Sequence, residues 1–343
     1  MGVFDFVKIF RVNKSISIDL GTANILIYDK QRKKIVLNEP SVVARDRKTG
    51  RLIAVGKEAR EMLGKTPDSI QAIKPLQDGV IADIDSTKEM ITYFIHKIYG
   101  NSLFKPEVMI CVPIEVTSVE RKALFDAVKG AKKTYIIEEG RAAIIGSGVD
   151  ISQPEGSMVI DIGGGSTDIA ILSLDEIIAS KSIRIAGNRF DEDIVRYVKR
   201  KYNLLIGDRT AETIKKELGS ALKVQSPEVM EIKGRDLETG IPNTVEVNAN
   251  EIYEAIEDSL FQIVNSTKEV LEKCPPELAA DILDNGIVMT GGGSLIRNFI
   301  DMMEKEVGIK VFLSPNPLDS VVLGGGAAFD NKKLLRTLQM KEN

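Results

Sequence analysis

Short apolar runs broken by small-residue turns set the pattern of the chain. The stretch Ser15-Ile16-Ser17-Ile18-Asp19-Leu20-Gly21-Thr22-Ala23-Asn24-Ile25-Leu26-Ile27-Tyr28 predicts two strands, 15–19 and 24–29, around a tight turn with a carboxylate at its lip. The layout returns in Met158-Val159-Ile160-Asp161-Ile162-Gly163-Gly164-Gly165-Ser166-Thr167-Asp168-Ile169-Ala170-Ile171-Leu172, with strands at 157–161 and 168–172. Further strands are predicted at 34–37, 107–112, 134–138, 177–184 and 286–289. Helical spacing of apolar residues predicts helices over 57–63, 86–99, 118–130, 141–147, 188–202, 210–218, 250–273 and 294–306. Thr117 and Glu120 form a T-x-x-E capping box before one of these, and Gly130 suits its C-terminal end.

Strands and helices mixed throughout the chain indicate α/β layers. Two copies of strand–glycine turn–strand suggest an internal duplication, each copy opening one lobe. The first lobe is expected to comprise residues 15–38, 73–150 and 318–343, with 39–72 as a small insertion. The second takes 151–186 and 251–317, with 187–250 inserted and a hairpin around Met230–Val247. The turn-rich stretch 150–157 joins them.

At 343 residues, two lobes are the natural expectation for the length. The balance of 46 basic and 50 acidic residues argues against a protein built around nucleic acid. Cys111 and Cys274 are isolated, which suits a reducing cytosol rather than a disulfide framework. His96 is the only histidine, so a zinc site, a Ser-His-Asp triad or a Cys-His pair is excluded as the chemistry. Carboxylates, lysines, hydroxyls, backbone amides and a hard metal ion remain. No apolar run reaches the ~20 residues of a membrane span. Residues 1–14 nonetheless gather Val3, Phe4, Phe6, Val7, Ile9 and Phe10 among Lys8, Arg11 and Lys14, the make-up of a short amphipathic helix lying at a membrane surface. No small-residue cleavage site follows, so a signal peptide is not expected. Leu103 and Phe104, in the loop before Lys105, offer a second apolar contact.

The glycine turns narrow the chemistry. Each leads from strand to strand, which excludes the Rossmann arrangement, where the turn opens a helix. A Walker A loop is excluded too: the nearest match, Ala59–Thr66, lacks the first glycine. A tight turn can still bind phosphate, because successive N–H groups form an anion nest. One copy alone reads more readily as a plain hairpin turn. Two copies facing one cleft would clamp a phosphate chain, with Asp19 and Asp161 beside it. Carboxylates next to phosphate require a hard cation between them, and Mg²⁺ with retained waters fits. A third cluster, Thr290-Gly291-Gly292-Gly293-Ser294, is expected to open a helix and to present its N-terminus to a ligand. Close strand–helix packing explains it equally well.

Five elements in order, "IDLGTAN", "VPIEVTSVERKAL…IIEEGRAAIIGSG", "IDIGGGSTDIAIL", "TAETIKKELGSA" and "IVMTGGGSLIRN", resemble the actin-like ATPase superfamily. "NEPSVVA", "KPLQDGVIADID", "YNLLIGDRTAE" and "GRDLETGIP" resemble its MreB family of bacterial actins and paralogues, over about residues 15–330. The resemblance implies the actin-like fold and an ATP-dependent polymer that determines cell shape and guides wall synthesis from the inner face of the membrane. It implies ATP and Mg²⁺ as ligands, self-association into filaments, and partners such as MreC, MreD and RodZ. Gly21, Thr22, Ala23 and Asn24 match the first phosphate loop, and Gly163, Gly164, Gly165 and Ser166 the second. Asp19 and Asp161 match the acids around Mg²⁺. Glu212, Thr213, Ile214, Lys215 and Lys216 match the segment lining the nucleoside, and Gly291, Gly292, Gly293, Ser294 and Leu295 the adenosine-side loop. Glu139 matches the acid that positions water, with Ser166 beside it. Phe4, Phe6, Val7, Phe10, Leu103 and Phe104 match the membrane contacts.

Two departures bear on hydrolysis. Gly140-Arg141 follows Glu139 where the family has proline, so the φ restraint at the helix start is lost. Ser166 stands where threonine is commoner. Both predict slow turnover with ordinary ATP affinity. The alternatives are a paralogue with weak or no hydrolysis and a small-molecule kinase of the same fold, which would need an acceptor pocket and a general base.

Overall fold

The alternation in residues 15–29 becomes an antiparallel hairpin, Ser15–Leu20 against Asn24–Asp29, with Asp19 opposite Leu26. It lies in a computed structural model that describes residues 14–100 and 105–339. The described chain divides into two units. The first is built from the chain up to Val112, Val116–Glu138 and the stretch from Val321; the second holds Pro113–Glu115 and Glu139–Ser320.

The first unit carries a five-stranded sheet in the order Lys133–Glu138, Glu107–Val112, Ser15–Leu20, Asn24–Asp29, Lys34–Pro40. The hairpin and Lys34–Pro40 run antiparallel, and the other two strands join in parallel. Ile16, Ile18, Ile25, Ile27 and Ile110 are fully buried, and Ile84–Tyr99 packs Met90, Ile91 and Phe94 into the same core. A small three-stranded sheet, Val43–Asp46 between Leu52–Val55 and Ile70–Ile73, has its own apolar cluster of Val42, Ala44, Ala54 and Ala59.

The second unit repeats the plan. Glu176–Ile183, Thr167–Ser173 and Ser157–Ile162 form the antiparallel part, and Ile287–Thr290 and Val311–Leu313 follow in parallel. Thr167–Ser173 is buried along its whole length, as a central strand covered on both faces must be. The hairpin Val229–Asp236/Pro242–Asn248 adds a second sheet with Leu204–Leu205. Gly187–Tyr202, Asp208–Leu218 and the long Ala249–Glu272 pack on these sheets in one apolar core.

The capping box at Thr117 and Glu120 is present, and the helix it opens ends at Ala127, short of Gly130. One expected helix is corrected. The stretch 294–306 is not continuous: Gly292–Leu295 is a 3₁₀ turn, Asn298 has a left-handed backbone at φ 60°, and the α-helix starts at Phe299. Leu295 is accordingly exposed, whereas Phe299, Met302 and Met303 are buried.

Candidate functional site

Each hairpin turn is held from behind by its carbonyls. In the first unit, the Ser41 hydroxyl donates to Gly21 O at 2.6 Å and the Ser41 amide to Ala23 O at 3.0 Å. The Gly79 amide donates to the Thr22 hydroxyl at 3.3 Å, and Thr22 is buried. In a trans peptide the N–H of one residue points opposite to the C=O of the residue before it. With Gly21 O tied to Ser41, the Thr22 N–H is turned away from that support.

The second turn repeats this with backbone donors from the start of a helix. Gly163 N–H closes it onto Ser166 O at 2.9 Å. Gly163 O accepts from Gly187 N–H at 3.1 Å, and Gly164 O from Asn188 N–H at 2.7 Å. By the same planarity, the Gly164 and Gly165 amides turn outward together, the geometry of an anion nest.

Asp161, only 6% exposed, is the last residue but one of the strand before this turn and stands opposite Asp168 in the register. Gly291 sits against it with φ +81°, and a Cβ there would fall 2.5 Å from an Asp161 carboxylate oxygen and 2.3 Å from Ile162 O. Only glycine leaves the carboxylate its room. Among the described residues no three His, Cys, Asp or Glu side chains converge as a metal site. A hard cation at Asp161 would therefore depend on waters and on ligand oxygens, as Mg²⁺ commonly does.

Glu139 is buried at the first position of Glu139–Gly146, a helix packed on the second unit's sheet. Asp168 lies beside it and is a site residue the motif reading passed over. Burial pushes the Asp168 carboxyl up to about 6, with the Glu115 charge adding to the rise. Hydrogen bonds with Ser182, the Ile114 amide and Glu139 pull the other way. The Ile114 amide is 3.4 Å from Asp168 Oδ1. The signal in the sequence was the second acid of "DIGGGSTD", seven residues after the first. Gly140 has a packing reason of its own: a Cβ there would meet Ala170 Cβ at 3.2 Å and Ile114 Cδ1 at 3.4 Å. A side chain at this position, proline's included, therefore carries a packing cost. Arg141 is buried, 3.7 Å from Glu176.

The segment 212–216 splits by face. Ile214 is fully buried in the core, so its side chain supports the helix and does not line a ligand. Glu212 and Lys216 pair at 2.6 Å on the exposed face, and Thr213 bonds back to Arg209 O. Lys215 is turned inward, 2.7 Å from Gly187 O and 2.9 Å from Asp191. The far end of this helix is tied to the third glycine cluster. Arg297 donates to Leu218 O at 3.1 Å and to Gly219 O at 3.3 Å, capping the helix C-terminus. Ser294 spends its hydroxyl on Gly291 O at 2.6 Å, while Leu295 and Leu318 stay exposed beside Gly292. The cluster thus offers no helix N-terminus, contrary to expectation; it offers a turn with an apolar rim. Asp208–Leu218, this turn and the second hairpin belong to one unit and are linked by named bonds. Asp19 and residues 21–24 belong to the other. Phe4, Phe6, Val7, Phe10, Leu103 and Phe104 lie outside the described residues. No helix among the described residues is long and apolar enough to cross a membrane.

Two five-stranded sheets of the same mixed order, each opened by a hairpin with an acid before its glycine turn, define the actin-like ATPase fold. Residues 13–337 match the family model described as MreB/Mbl protein, and the chain belongs to that family. It is 49% identical over 321 residues to the cell shape-determining protein Mbl of Bacillus subtilis (strain 168), covering 93% of this chain and 96% of that protein. MreB5 of Spiroplasma citri bound to ADP superimposes with a TM-score of 0.88 at 39% identity, over 95% of this chain and 98% of that one. The AMPPNP-bound form of MreB5 gives 0.88 at 38% identity, with the same coverage.

Proposed function

We propose that this chain is an ATP-binding bacterial actin that assembles into filaments on the inner face of the cell membrane and determines cell shape. The observation that carries the reading is the pair of glycine turns, each with its carbonyls tied back and an acid at its lip. Identity to a cell shape-determining protein and likeness to a protein bound to ADP and AMPPNP support it.

The amides of Thr22, Gly164 and Gly165 take phosphate oxygens of ATP. Asp161 and Asp19 are the acids that would hold Mg²⁺, through its waters. Magnesium supplies the positive charge that lets carboxylates and phosphates coexist. Glu139 orients the attacking water, with the Ser166 hydroxyl and Asp168 beside it. Phosphoryl transfer depends on such placement more than on covalent help from the protein. Glu212, Thr213 and Lys216 face the nucleoside on one side, and Gly292–Leu295 with Leu318 offer an apolar edge on the other. Hydrolysis is slow and follows assembly. Residues 1–14 with Leu103 and Phe104 supply membrane contact, weak for one subunit and multiplied along a filament by avidity. Wall-synthesis partners such as MreC, MreD and RodZ belong to the same reading.

Sedimentation and electron microscopy with ATP, ADP or no nucleotide, with and without anionic liposomes, test this. The expected result is ATP-dependent filaments that co-float with liposomes. Deleting residues 2–11 together with Leu103→Ser and Phe104→Ser should abolish flotation and spare ATP binding. Flotation that survives would move the anchor elsewhere; failure to assemble under every nucleotide condition would overturn the polymer.

A further inference from the structure

The helix Gly187–Tyr202 begins without a side-chain cap, since its N-cap is Ala186. The first N–H groups of any helix lack intrahelical acceptors. Here two of them find acceptors in the glycine turn: Gly187 N–H donates to Gly163 O at 3.1 Å and Asn188 N–H to Gly164 O at 2.7 Å. The turn caps the helix and the helix fixes the turn.

A second tie reaches the same point from another helix. Lys215, on Asp208–Leu218, donates its ammonium to Gly187 O at 2.7 Å. The same ammonium pairs with Asp191 at 2.9 Å, and both side chains are only 13% exposed. A Cβ on Gly187 would lie 3.3 Å from Gly163 O and 3.4 Å from Lys215 Nζ, so ammonium, helix start and turn are stacked within contact distance. Moving the ammonium away would leave Asp191 largely buried without this partner, which is costly.

We propose that Lys215 and Asp191 form a latch that sets the Gly163–Gly165 turn in its phosphate-binding shape. Lys215 then acts on the polyphosphate through the turn, as a positioning residue. The latch pins the first turn of Gly187–Tyr202, whose amides pin the carbonyls of Gly163 and Gly164. Those carbonyls in turn aim the amides of Gly164 and Gly165 outward. This rests on reading Gly163–Gly165 as a phosphate turn.

The test is a double-mutant cycle in the full chain with Mg²⁺. ATP is titrated against wild type, Lys215→Met, Asp191→Asn and the double variant, and amide hydrogen exchange is read at 163–166 without nucleotide. Because a hydrogen bond to a charged group is lost in each case, either single change should weaken ATP binding about tenfold. The double variant should be no weaker than the worse single one, the mark of one shared interaction. Exchange at 163–166 should quicken in all three, and Lys215→Arg should recover part of both losses. If Asp191→Asn leaves ATP binding unchanged or tightens it while Lys215→Met weakens it, Lys215 touches nucleotide directly and the latch is wrong. Unchanged exchange in both single variants overturns it as well, whatever they bind. Should Lys215→Met not fold, Asp191→Asn, nearly the same shape, decides alone. A wild type that binds no ATP removes the phosphate reading and the proposal with it.

Discussion

The two glycine hairpins share a plan and differ in what stands across from the turn acid. Asp19 faces Leu26, an apolar residue buried in the first unit's sheet. Asp161 faces Asp168, which is also buried but lies beside Glu139. Their supports differ in kind too. One serine and one loop amide hold the first turn, whereas a helix start backed by an ion pair holds the second. One duplicated frame thus places an apolar residue across from one turn acid and a second buried carboxylate across from the other. A buried polar residue is retained at a cost in stability, and Asp168 marks where that cost was accepted.

The largest effect should follow from removing the acid that only the second unit carries. Glu139→Ala is expected to slow single-turnover ATP hydrolysis about 100-fold, the scale of a misplaced reactant, with ATP affinity held within about twofold. An unchanged rate would pass the water-positioning role to another group. The first turn should respond on a smaller scale. Ser41→Ala deletes one neutral hydrogen bond to Gly21 O and should weaken ATP about 3- to 10-fold, the net worth of such a bond. A loss larger than that of Asp191→Asn would reverse the ranking of the two supports.

Asp168 gives the comparison a pH signature. Its carboxyl is raised from 3.8 to about 6 by burial, so the fold favours the protonated form. The stability it contributes is full below pH ~4 and is lost as pH rises through about 6. Asp168→Asn should therefore flatten the fall in stability between pH 4 and 7 by about 1–3 kcal/mol, read by urea melts without nucleotide or Mg²⁺. A fall of the same depth in the variant would place the titrating group elsewhere. Leu26→Asn, the mirror change in the first hairpin, should only destabilise, with no change in pH dependence.

Gly140→Ala should have the smallest effect. The added methyl crowds Ala170 and Ile114, and better helix propensity offsets part of the strain, for a net loss of about 1 kcal/mol. A gain in thermal stability would mean that the helix start has room and that proline would be tolerated there.

Much of this comparison was legible in the chain. Both hairpins announced themselves because apolar runs of strand length abut small-residue turns, and the acids stand out where each strand ends. The 3₁₀ turn at Gly292–Leu295 was hidden, since "GGGSLIRNFIDMMEKEV" keeps helical spacing while Asn298 breaks the backbone. Strands such as Val43–Asp46 and Leu52–Val55 are too short to show a period. Ser320–Ala328 has none to show, being small and apolar on every side. Lys215 matched the nucleoside-lining segment together with Lys216, its neighbour in sequence. Only the tertiary neighbour Asp191 turns it inward. Asp168 was quoted in the motif but its role depends on Glu139, far off in sequence.

The central claim is that the glycine turns and their acids bind the phosphates of ATP through Mg²⁺. It is tested most directly by titrating ATP into wild type and Asp161→Ala, each with Mg²⁺ and with EDTA. The account predicts that wild type loses most of its affinity in EDTA, and that Asp161→Ala binds weakly in both conditions with little response to the metal. An Asp161→Ala protein that binds Mg·ATP as tightly as wild type, and loses it in EDTA as wild type does, would contradict it.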